Sequence, residues 1–454
     1  MNIYFTIMLS AAPLIFTRLA LCLGTLINNL MVSTLGIHVL AASVIVTSIY
    51  MGIFIFALGN LQGISTLVSV RHAQKDYAGI IRVLIQGLYY ATLIGLVVMV
   101  IFYNISLLLR IFHEPESLIG LIKKYYLYFA PSVLPMLWTT VLIEVIIGCS
   151  HQKIIYYYGI FRMLLGVFLA YALVMGKFSF PQMGFAGLGF STTIASILSC
   201  LSLGIYLYWR TKNFIGAYIN LVSFTNLIQL PKIIRLGLPI GIQMSGEMLA
   251  IMFITLLIGH FGVVALASQQ IIGQYLLLFS MVPLGLSQAV AVTISKFIAK
   301  NKLDLAWEVA YKSLAIMVIF STIVGLVYIF LPQYLIHPYI HKYSSFHHVE
   351  LIRITTKFFY YLAIYQLFDG VRIVVSGVLR VWANPLIAML VGIGCFGLIA
   401  IPLSLILIRY YISLGPIIIS LSMTVAVIVA TILLVWYFMS TSLAEKNQSL
   451  VFSE

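Results

Sequence analysis

Six charged residues stand inside long apolar stretches of the sequence, and their chemistry needs a reason. They are Arg18, Glu144, Arg162, Glu247, Asp369 and Arg372. A charge at the centre of a membrane helix costs roughly 2.5–3.5 kcal/mol on insertion scales. Each of the six should therefore have a partner or a function.

Glu247 and Asp369 are the best candidates for binding an ion. Tyr365 precedes Asp369 by one helical turn, so its phenol and the carboxylate can converge on one ion, and Gln243 precedes Glu247 in the same way. Two carboxylates in a dry helix bundle can share a proton or hold a sodium ion through oxygen ligands. The sequence predicts a cation site at Glu247, Tyr365 and Asp369, with Gln243 in support.

Two further glutamines and one arginine bear on this site. Gln270 and Gln274 lie one turn apart on the next helix and could face the same cavity. The alternative to ion binding is a structural ion pair between Asp369 and Arg372, which are three positions apart. Both interpretations stay open at this point.

The N-terminal half contains the other three charges. For Arg18, Glu144 and Arg162 we expect a network that satisfies them inside the helix bundle. Arg162 is also expected within reach of a helix end, where its head group could extend to water. The sharper hypothesis is that Arg18 or Glu144 faces a substrate cavity.

The amino-acid composition indicates the type of secondary structure that holds these charged residues. Apolar residues make up 63% of the 454 positions and charged residues only 8%, whereas a soluble domain is roughly half apolar and a quarter charged. The apolar runs are continuous and long enough for helices, which excludes the alternating strands of a membrane β-barrel. They lie near 8–33, 39–69, 80–108, 119–149, 153–175, 184–210, 234–259, 264–298, 305–332, 347–378, 385–408 and 414–439. The sequence predicts an all-α polytopic membrane protein with twelve transmembrane helices.

The net charge of +14 is a topology signal. With the N-terminus inside, Lys and Arg are concentrated in the inner loops and the C-terminal tail, as the positive-inside rule requires. Both termini are therefore expected in the cytoplasm, and no nucleic-acid partner is predicted.

An internal repeat divides the chain. The shift that places Pro13 on Pro239 also places Gly36 on Gly262 and Gln62 on Gln288. Each repeat holds six helices, so the halves are parallel repeats, predicted as two bundles related by a pseudo-twofold axis. The predicted boundaries are an N-terminal lobe at 1–215, a cytoplasmic linker at 216–233 and a C-terminal lobe at 234–454. The same shift aligns Glu247 with Leu21, and a slightly larger one aligns Asp369 with Thr140, so the acids are not needed by the scaffold.

The ordered short strings of the sequence resemble the MATE (multidrug and toxic compound extrusion) transporters along essentially the whole chain. The most specific strings are Gly237-Leu238-Pro239-Ile240 leading to Glu247, and Ile364-Tyr365-Gln366 followed by Asp369. The resemblance implies a V-shaped twelve-helix carrier that uses a sodium or proton gradient to expel organic cations and related amphiphiles. It also implies that Glu247, Tyr365 and Asp369 match the cation site of the family's bacterial sodium-coupled branch.

One position departs from the family pattern. Many members have an acid in the first helix, and the corresponding residue here is Asn28. An amide can hydrogen-bond or coordinate sodium but cannot titrate. This shifts the expected ion coupling to the C-terminal acids.

The function predicted from these observations is secondary active antiport of small organic molecules against Na+ or H+ in the bacterial cytoplasmic membrane. No cofactor, enzymatic activity or ATP use is expected, and the sequence has no GxxxxGK[ST] loop. A monomer in contact with membrane lipids would suffice. The main alternative is a flippase for lipid-linked oligosaccharides, which Arg18 and Arg162 favour, and a membrane-embedded transferase or a channel would be a more distant one.

Overall fold

The computed structural model describes residues 3–111, 116–218, 228–340, 348–382, 385–411 and 415–451. Within these ranges every regular element is a helix. The α-helices are α1 Ile3–Ser33, α2 Ile37–Leu61, α3 Gly63–Ala73, α4 Tyr77–Tyr103, α5 Ile105–Ile111, α6 Glu116–Phe129, α7 Val133–Gly148, α8 Gln152–Met175, α9 Phe185–Tyr218, α10 Leu230–Gly259, α11 Val263–Ala299, α12 Leu303–Phe330, α13 Pro332–Ile340, α14 His348–Trp382, α15 Pro385–Gly394, α16 Ile401–Tyr411 and α17 Ile417–Val451. A short 3-10 turn joins α6 to α7, and the π-helix Cys395–Ala400 joins α15 to α16.

Twelve helical segments in the described ranges are long and apolar enough to cross a membrane. Three of these spans combine two helices, namely α2 with α3, α6 with α7, and α15 with α16. Helices suit lipid because all of their backbone hydrogen bonds are made within the segment. The prediction of an all-α polytopic membrane protein with twelve spans is confirmed.

The chain forms two compact units. The N-unit comprises Phe16–Gly241, and the C-unit comprises Met1–Ile15 together with Ile242–Glu454. The first part of α1 therefore packs in the C-unit, and the first part of α10 packs in the N-unit. The predicted boundaries at 215 and 234 stay a prediction, and residues 219–227 of the predicted linker lie outside the described ranges.

The sequence repeat is also a repeat of backbone conformation. Gly36 precedes α2 with φ 104° and ψ 167°, and Gly262 precedes α11 with φ 99° and ψ 176°. Side chains disfavour this region of positive φ, so glycine is required at both places. Pro13 and Pro239, the other aligned pair, both lie inside helices, in α1 and α10.

Each unit also contains one close approach between two helix backbones. In the N-unit, a methyl group on Gly59 of α2 would lie 2.6 Å from the Cα atom of Gly241 in α10. In the C-unit, a methyl group on Gly285 of α11 would lie 3.1 Å from the backbone nitrogen of Ile15 in α1. Gly59 aligns with Gly285, and Ile15 with Gly241, so the repeat conserves a packing contact that requires glycine.

Helix α14 lies at the centre of the C-unit. It contacts α11, α12 and α17, and its Phe358 and Phe359 are fully buried in the apolar core of the unit. Polar residues of α14 therefore also lie in the interior of the C-unit. This helix positions three of the residues that the sequence analysis singled out.

Candidate functional site

Helix α10 supplies a glutamine and a glutamate to the C-unit interior. Gln243 and Glu247 are one turn apart, which places them on the same face of α10. The Gln243 Nε2 atom donates a hydrogen bond of 2.9 Å to Glu247 Oε1. Gln243 is buried, and the Glu247 side chain is 19% exposed. The amide thus holds one carboxylate oxygen in place and leaves the other for further partners.

Helix α14 supplies a phenol, a carboxylate and a guanidinium. Tyr365, Asp369 and Arg372 follow at spacings of four and three, so they form one stripe along the helix. All three are buried. In the described part of the chain the Tyr365 hydroxyl has no hydrogen-bond partner, so its oxygen is available to a ligand.

Arg372 joins the two acids. Its Nη1 atom donates to Glu247 Oε1 at 2.6 Å and its Nη2 atom donates to Glu247 Oε2 at 3.1 Å. Its Nε and Nη2 atoms donate to Asp369 Oδ1 at 2.9 and 2.7 Å. The pair with Glu247 is a two-point contact between planar groups, the strongest form of charge-assisted hydrogen bonding in proteins.

The charge balance of this group is uneven. With all three residues ionised, two carboxylates face one guanidinium, which leaves one negative charge in a buried place. The Asp369 bonds all end on Oδ1, and Oδ2 accepts none from the residues that the structure describes. Asp369 as a whole is 4% exposed, and a carboxylate oxygen without a protein donor in such a place can accept a proton or bind a cation.

Two residues from the segment that follows α14 lie next to Glu247 and Arg372. A methyl group on Gly392 of α15 would lie 2.8 Å from Glu247 Oε1, so a larger residue here would displace that carboxylate. The ring of Phe396, in the π-helix, lies 5.3 Å from the guanidinium carbon of Arg372, which is a cation–π distance. Single-turn π-helices often mark functional sites.

Sequence reasoning missed the bridging role of Arg372 and the presence of Gly392 and Phe396. Arg372 was weighed only as a partner of Asp369, because spacing along one helix says nothing of a second helix. A glycine inside an apolar span was the one available signal for Gly392, since small residues mark close packing in membranes.

The two glutamines on α11 are placed differently from the acids. Gln274 Oε1 accepts a hydrogen bond of 2.6 Å from the Tyr339 hydroxyl of α13. Gln270 is exposed, and the described residues give it no hydrogen bond. Among the described residues neither glutamine forms a hydrogen bond with Glu247 or Asp369, so a role for them in a shared cavity stays a prediction.

The remaining predicted residues belong to the N-unit. Arg18 in α1 and Glu144 in α7 interact electrostatically, and Glu144 is buried. Asn28, also in α1, has a buried side-chain oxygen without a hydrogen-bond partner in the described ranges. Arg18 and Glu144 lie within electrostatic range of each other, and both the satisfied network and the cavity-facing role stay predictions.

Sodium would be a transported ion at this site, and the oxygen atoms of the side chains are of the kind that binds it. Carboxylate, phenol and amide oxygens are ligands of hard cations. The described residues hold no cluster of three or more His, Cys, Asp or Glu that would bind a metal tightly. Cation binding at Glu247, Tyr365 and Asp369 therefore stays a prediction.

Comparison with known proteins gives concordant matches. The MatE family model matches residues 13–172 and 239–406. The "Probable multidrug resistance protein NorM" of Pseudomonas putida is 26% identical over 398 residues, which cover 86% of this chain and 85% of the relative. The protein with the same description in Agrobacterium fabrum is 28% identical over 374 residues, covering 81% and 79%.

Solved structures agree in fold. The MATE transporter VcmN of Vibrio cholerae superposes with a TM-score of 0.83 at 17% identity and covers 98% of both chains. A MOP superfamily transporter from Pyrococcus furiosus superposes with a TM-score of 0.85 at 16% identity, covering 97% of this chain and 96% of the other. At these identities the likeness concerns the fold alone.

Proposed function

Because this chain belongs to the MatE family, we propose that it is a multidrug efflux transporter of the bacterial cytoplasmic membrane, with both termini inside. In this proposal it exports organic cations or other amphiphilic small molecules in exchange for Na+ or H+. The named relatives support the substrate class, and the twelve spans support a multi-pass carrier.

One observation carries the ion-coupling part of the proposal. Glu247, Asp369 and Arg372 form a buried group with one excess negative charge, and Asp369 Oδ2 has no donor among the described residues. A single monovalent cation bound there would neutralise the group. Either a proton on Oδ2 or a sodium ion with Tyr365 as an additional ligand meets that requirement.

Arg372 gives cation binding a structural consequence. The guanidinium connects Asp369 on α14 to Glu247 on α10, so it connects the two helices. A cation at Asp369 weakens the attraction between that carboxylate and the guanidinium, which leaves Arg372 held mainly by Glu247. A change of contacts between α10 and α14 on the order of 1–3 kcal/mol is enough to couple ion binding to substrate affinity.

The proposed cycle contains no covalent step. A cation entering from the outer side lowers the affinity for the substrate, which leaves outward. The ion-loaded carrier then turns inward and releases the ion to the cytoplasm. Enzymatic activity and ATP hydrolysis have no part in this scheme.

The test is gradient-driven transport of ethidium in proteoliposomes that contain the full chain. A sodium gradient and a pH gradient are imposed separately on wild type, Asp369→Asn and Asp304→Asn. Asp304 is an exposed residue in the first turn of α12, so its variant controls for loss of a carboxylate elsewhere. We expect wild type and Asp304→Asn to respond to one of the gradients and Asp369→Asn to lose the response.

The result also separates the alternatives. The gradient that works identifies the coupling ion. If wild type transports ethidium under neither gradient, antiport of organic cations is wrong, and binding of lipid-linked sugars would then favour the flippase. If Asp369→Asn keeps the full response, the carrier stands but the C-unit site does not couple it.

A further inference from the structure

Arg162 lies near the middle of a membrane-spanning helix. It is in the central part of the 24-residue α8, about 15 Å or more from either end at a rise of 1.5 Å per residue. An arginine side chain cannot extend that far, so the expectation that it reaches a helix end is wrong. The charge is held inside the span.

The faces of α8 place Arg162 on the protein side. Exposed apolar side chains form one stripe along the helix, at Tyr157, Phe161, Leu164, Phe168 and Tyr171. Buried residues form the opposite stripe, at Ile155, Tyr158 and Leu169. Arg162 follows Tyr158 by four positions and precedes Leu169 by seven, so it belongs to the buried stripe. Its guanidinium therefore points into the N-unit.

The partners of this guanidinium are neutral and distant. Its Nη1 and Nη2 atoms approach the Ser196 hydroxyl at 3.5 and 3.4 Å, and Nη1 approaches the Ser199 hydroxyl at 3.4 Å. These distances are at the long limit for hydrogen bonds. Across the described ranges no carboxylate forms an ion pair with Arg162, whereas Arg372 pairs with two acids and Arg18 has Glu144 within electrostatic range.

Hydroxyl groups are the other polar groups near the Arg162 guanidinium. The Tyr158 hydroxyl, one turn before Arg162, is buried and lies near Thr139 and Ser199. In the described structure neither the Tyr158 nor the Thr139 hydroxyl makes a hydrogen bond of regular geometry, and the interactions of Tyr158 with Thr139 and Ser199 stay within the cluster. Tyr50 of α2 is also within electrostatic range of the guanidinium. The cluster thus has one positive charge and spare O–H donors, and it contains no acid.

Such a set of groups is complementary to an anion. A guanidinium has five N–H donors in a planar fork that matches a carboxylate or a phosphate, and hydroxyls can donate to the remaining oxygens. We propose that Arg162, Tyr158, Thr139 and Ser199 form an anion-binding site in the N-unit, which takes a carboxylate, sulfonate or phosphate group. The anion comes from an amphiphilic solute or from a lipid head group, and the same chemistry serves both.

This site is separate from ion coupling at Asp369. Its residues all lie in the N-unit, and the chemistry of binding an anion needs no ion gradient. An equilibrium binding experiment therefore tests it whether or not antiport occurs.

The experiment compares two fluorescent probes that differ by one charge. Dansylglycine carries a carboxylate, and dansylglycinamide replaces it with a neutral amide. Both are titrated against the full chain in phosphatidylcholine nanodiscs at neutral pH without a gradient. Because charge-assisted hydrogen bonds are lost with the amide, we expect wild type to bind dansylglycine about tenfold or more tightly.

Variants assign the preference to the cluster. Arg162→Gln should remove it, and Arg162→Lys should keep part of it because the charge remains. Lys153→Gln removes an exposed positive charge from the same helix and should bind as wild type does. Tyr158→Phe deletes a hydroxyl that makes no regular hydrogen bond and interacts with Thr139 and Ser199 of the same cluster, so the fold should tolerate it while dansylglycine affinity falls several-fold. It gives a result even if Arg162→Gln fails to fold.

Two results would overturn the proposal. One is equal affinity of wild type for both probes, and the other is an undiminished preference in Arg162→Gln or Tyr158→Phe. Nanodiscs containing phosphatidylglycerol distinguish the sources of the anion. If this lipid weakens dansylglycine binding by a larger factor in wild type than in Arg162→Lys, where surface repulsion is the same, the site takes a lipid head group, and if the factors are equal, the site takes a soluble anion.

Discussion

Arg372 and Glu247 are 125 positions apart in the chain, and they form a two-point ion pair between α14 and α10. The same guanidinium contacts Asp369 three positions earlier on its own helix. A cation supplied by the protein thus lies between the two acids proposed to bind a cation from outside. A cation that enters the site must therefore compete with the Arg372 guanidinium for the carboxylates of Glu247 and Asp369.

Removing the Arg372 guanidinium should make the stability of the protein depend more strongly on added sodium. Arg372→Gln leaves two buried carboxylates without their counter-ion, and breaking a buried pair costs about 3–5 kcal/mol. We expect a lower unfolding temperature in sodium-free buffer and a larger stabilisation by added NaCl, relative to choline chloride, than in wild type. Thermal unfolding in detergent measures both effects.

A control and a second variant sharpen this comparison. Arg353→Gln removes an exposed arginine of the same helix and should leave unfolding unchanged. Adding Glu247→Gln to Arg372→Gln removes the unpaired carboxylate and should recover part of the loss. If the double variant is no more stable than the sum of the two single changes predicts, Glu247 and Arg372 are not the interacting pair.

Tyr365→Phe should affect ion use more than folding. The hydroxyl has no partner in the described residues and the ring packs in the apolar core, so stability should change by about 1 kcal/mol or less. If the phenol oxygen is a sodium ligand, the half-saturating sodium concentration for ethidium transport rises. Tyr360→Phe, which removes an exposed hydroxyl from the same helix, should leave that concentration unchanged. Identical ion dependence in wild type and Tyr365→Phe would remove Tyr365 from the site.

Gly392→Ala tests the space around the Glu247 carboxylate. The added methyl group would lie 2.8 Å from Glu247 Oε1 and 3.2 Å from Gln243 Cγ. Both side chains must shift, at a cost of about 1–3 kcal/mol, and the Arg372 contact shifts with them. We expect slower gradient-driven transport with a modest change in melting temperature. Gly394→Ala in the same helix adds a methyl group where no heavy atom lies within 4 Å, so it should transport normally. Equal transport by the two variants would contradict the geometry.

Gly59→Ala tests the backbone contact repeated in the two units. The methyl group would meet the Cα and N atoms of Gly241 at 2.6 and 2.9 Å, so α2 and α10 must separate. A loss of about 1–3 kcal/mol or more in stability follows, and Gly285→Ala should have a similar effect through Ile15. Gly52→Ala lies in α2 with nothing within 4 Å of the added carbon, so its unfolding temperature is the reference. A Gly59→Ala protein as stable as Gly52→Ala would show that the close approach is not needed.

The sequence predicted the fold to the level of individual spans, because a long continuous apolar segment satisfies its backbone hydrogen bonds in lipid by forming a helix. It also predicted which polar residues share a helix face, and the hydrogen bond between Gln243 and Glu247 confirms that pairing. It did not predict that Arg372 reaches Glu247, because a three-residue spacing describes one helix and not its neighbour. The same limit applies to Gln274, whose partner Tyr339 lies 65 positions away in a separate helix.

Arg162 shows a different limit. Sequence spacing located it inside a span, but its distance from both helix ends became clear only from the bounds of α8. The absence of an acid near it within the described residues depends on the packing of α7, α8 and α9. No pattern along one chain segment reports that.

The exchange of helix segments between the units has a consequence for biosynthesis. Residues 3–15 are synthesised well before the rest of the C-unit in which they pack, with Ile15 against Gly285. At typical translation speeds that partner follows on the order of tens of seconds later. The start of α1 must wait in the membrane without its native neighbours, and the N-unit in turn is completed only when residues 230–241 emerge. The N-unit therefore cannot finish folding until translation has passed into α10, and the C-unit must recover a segment of α1 that was made long before it.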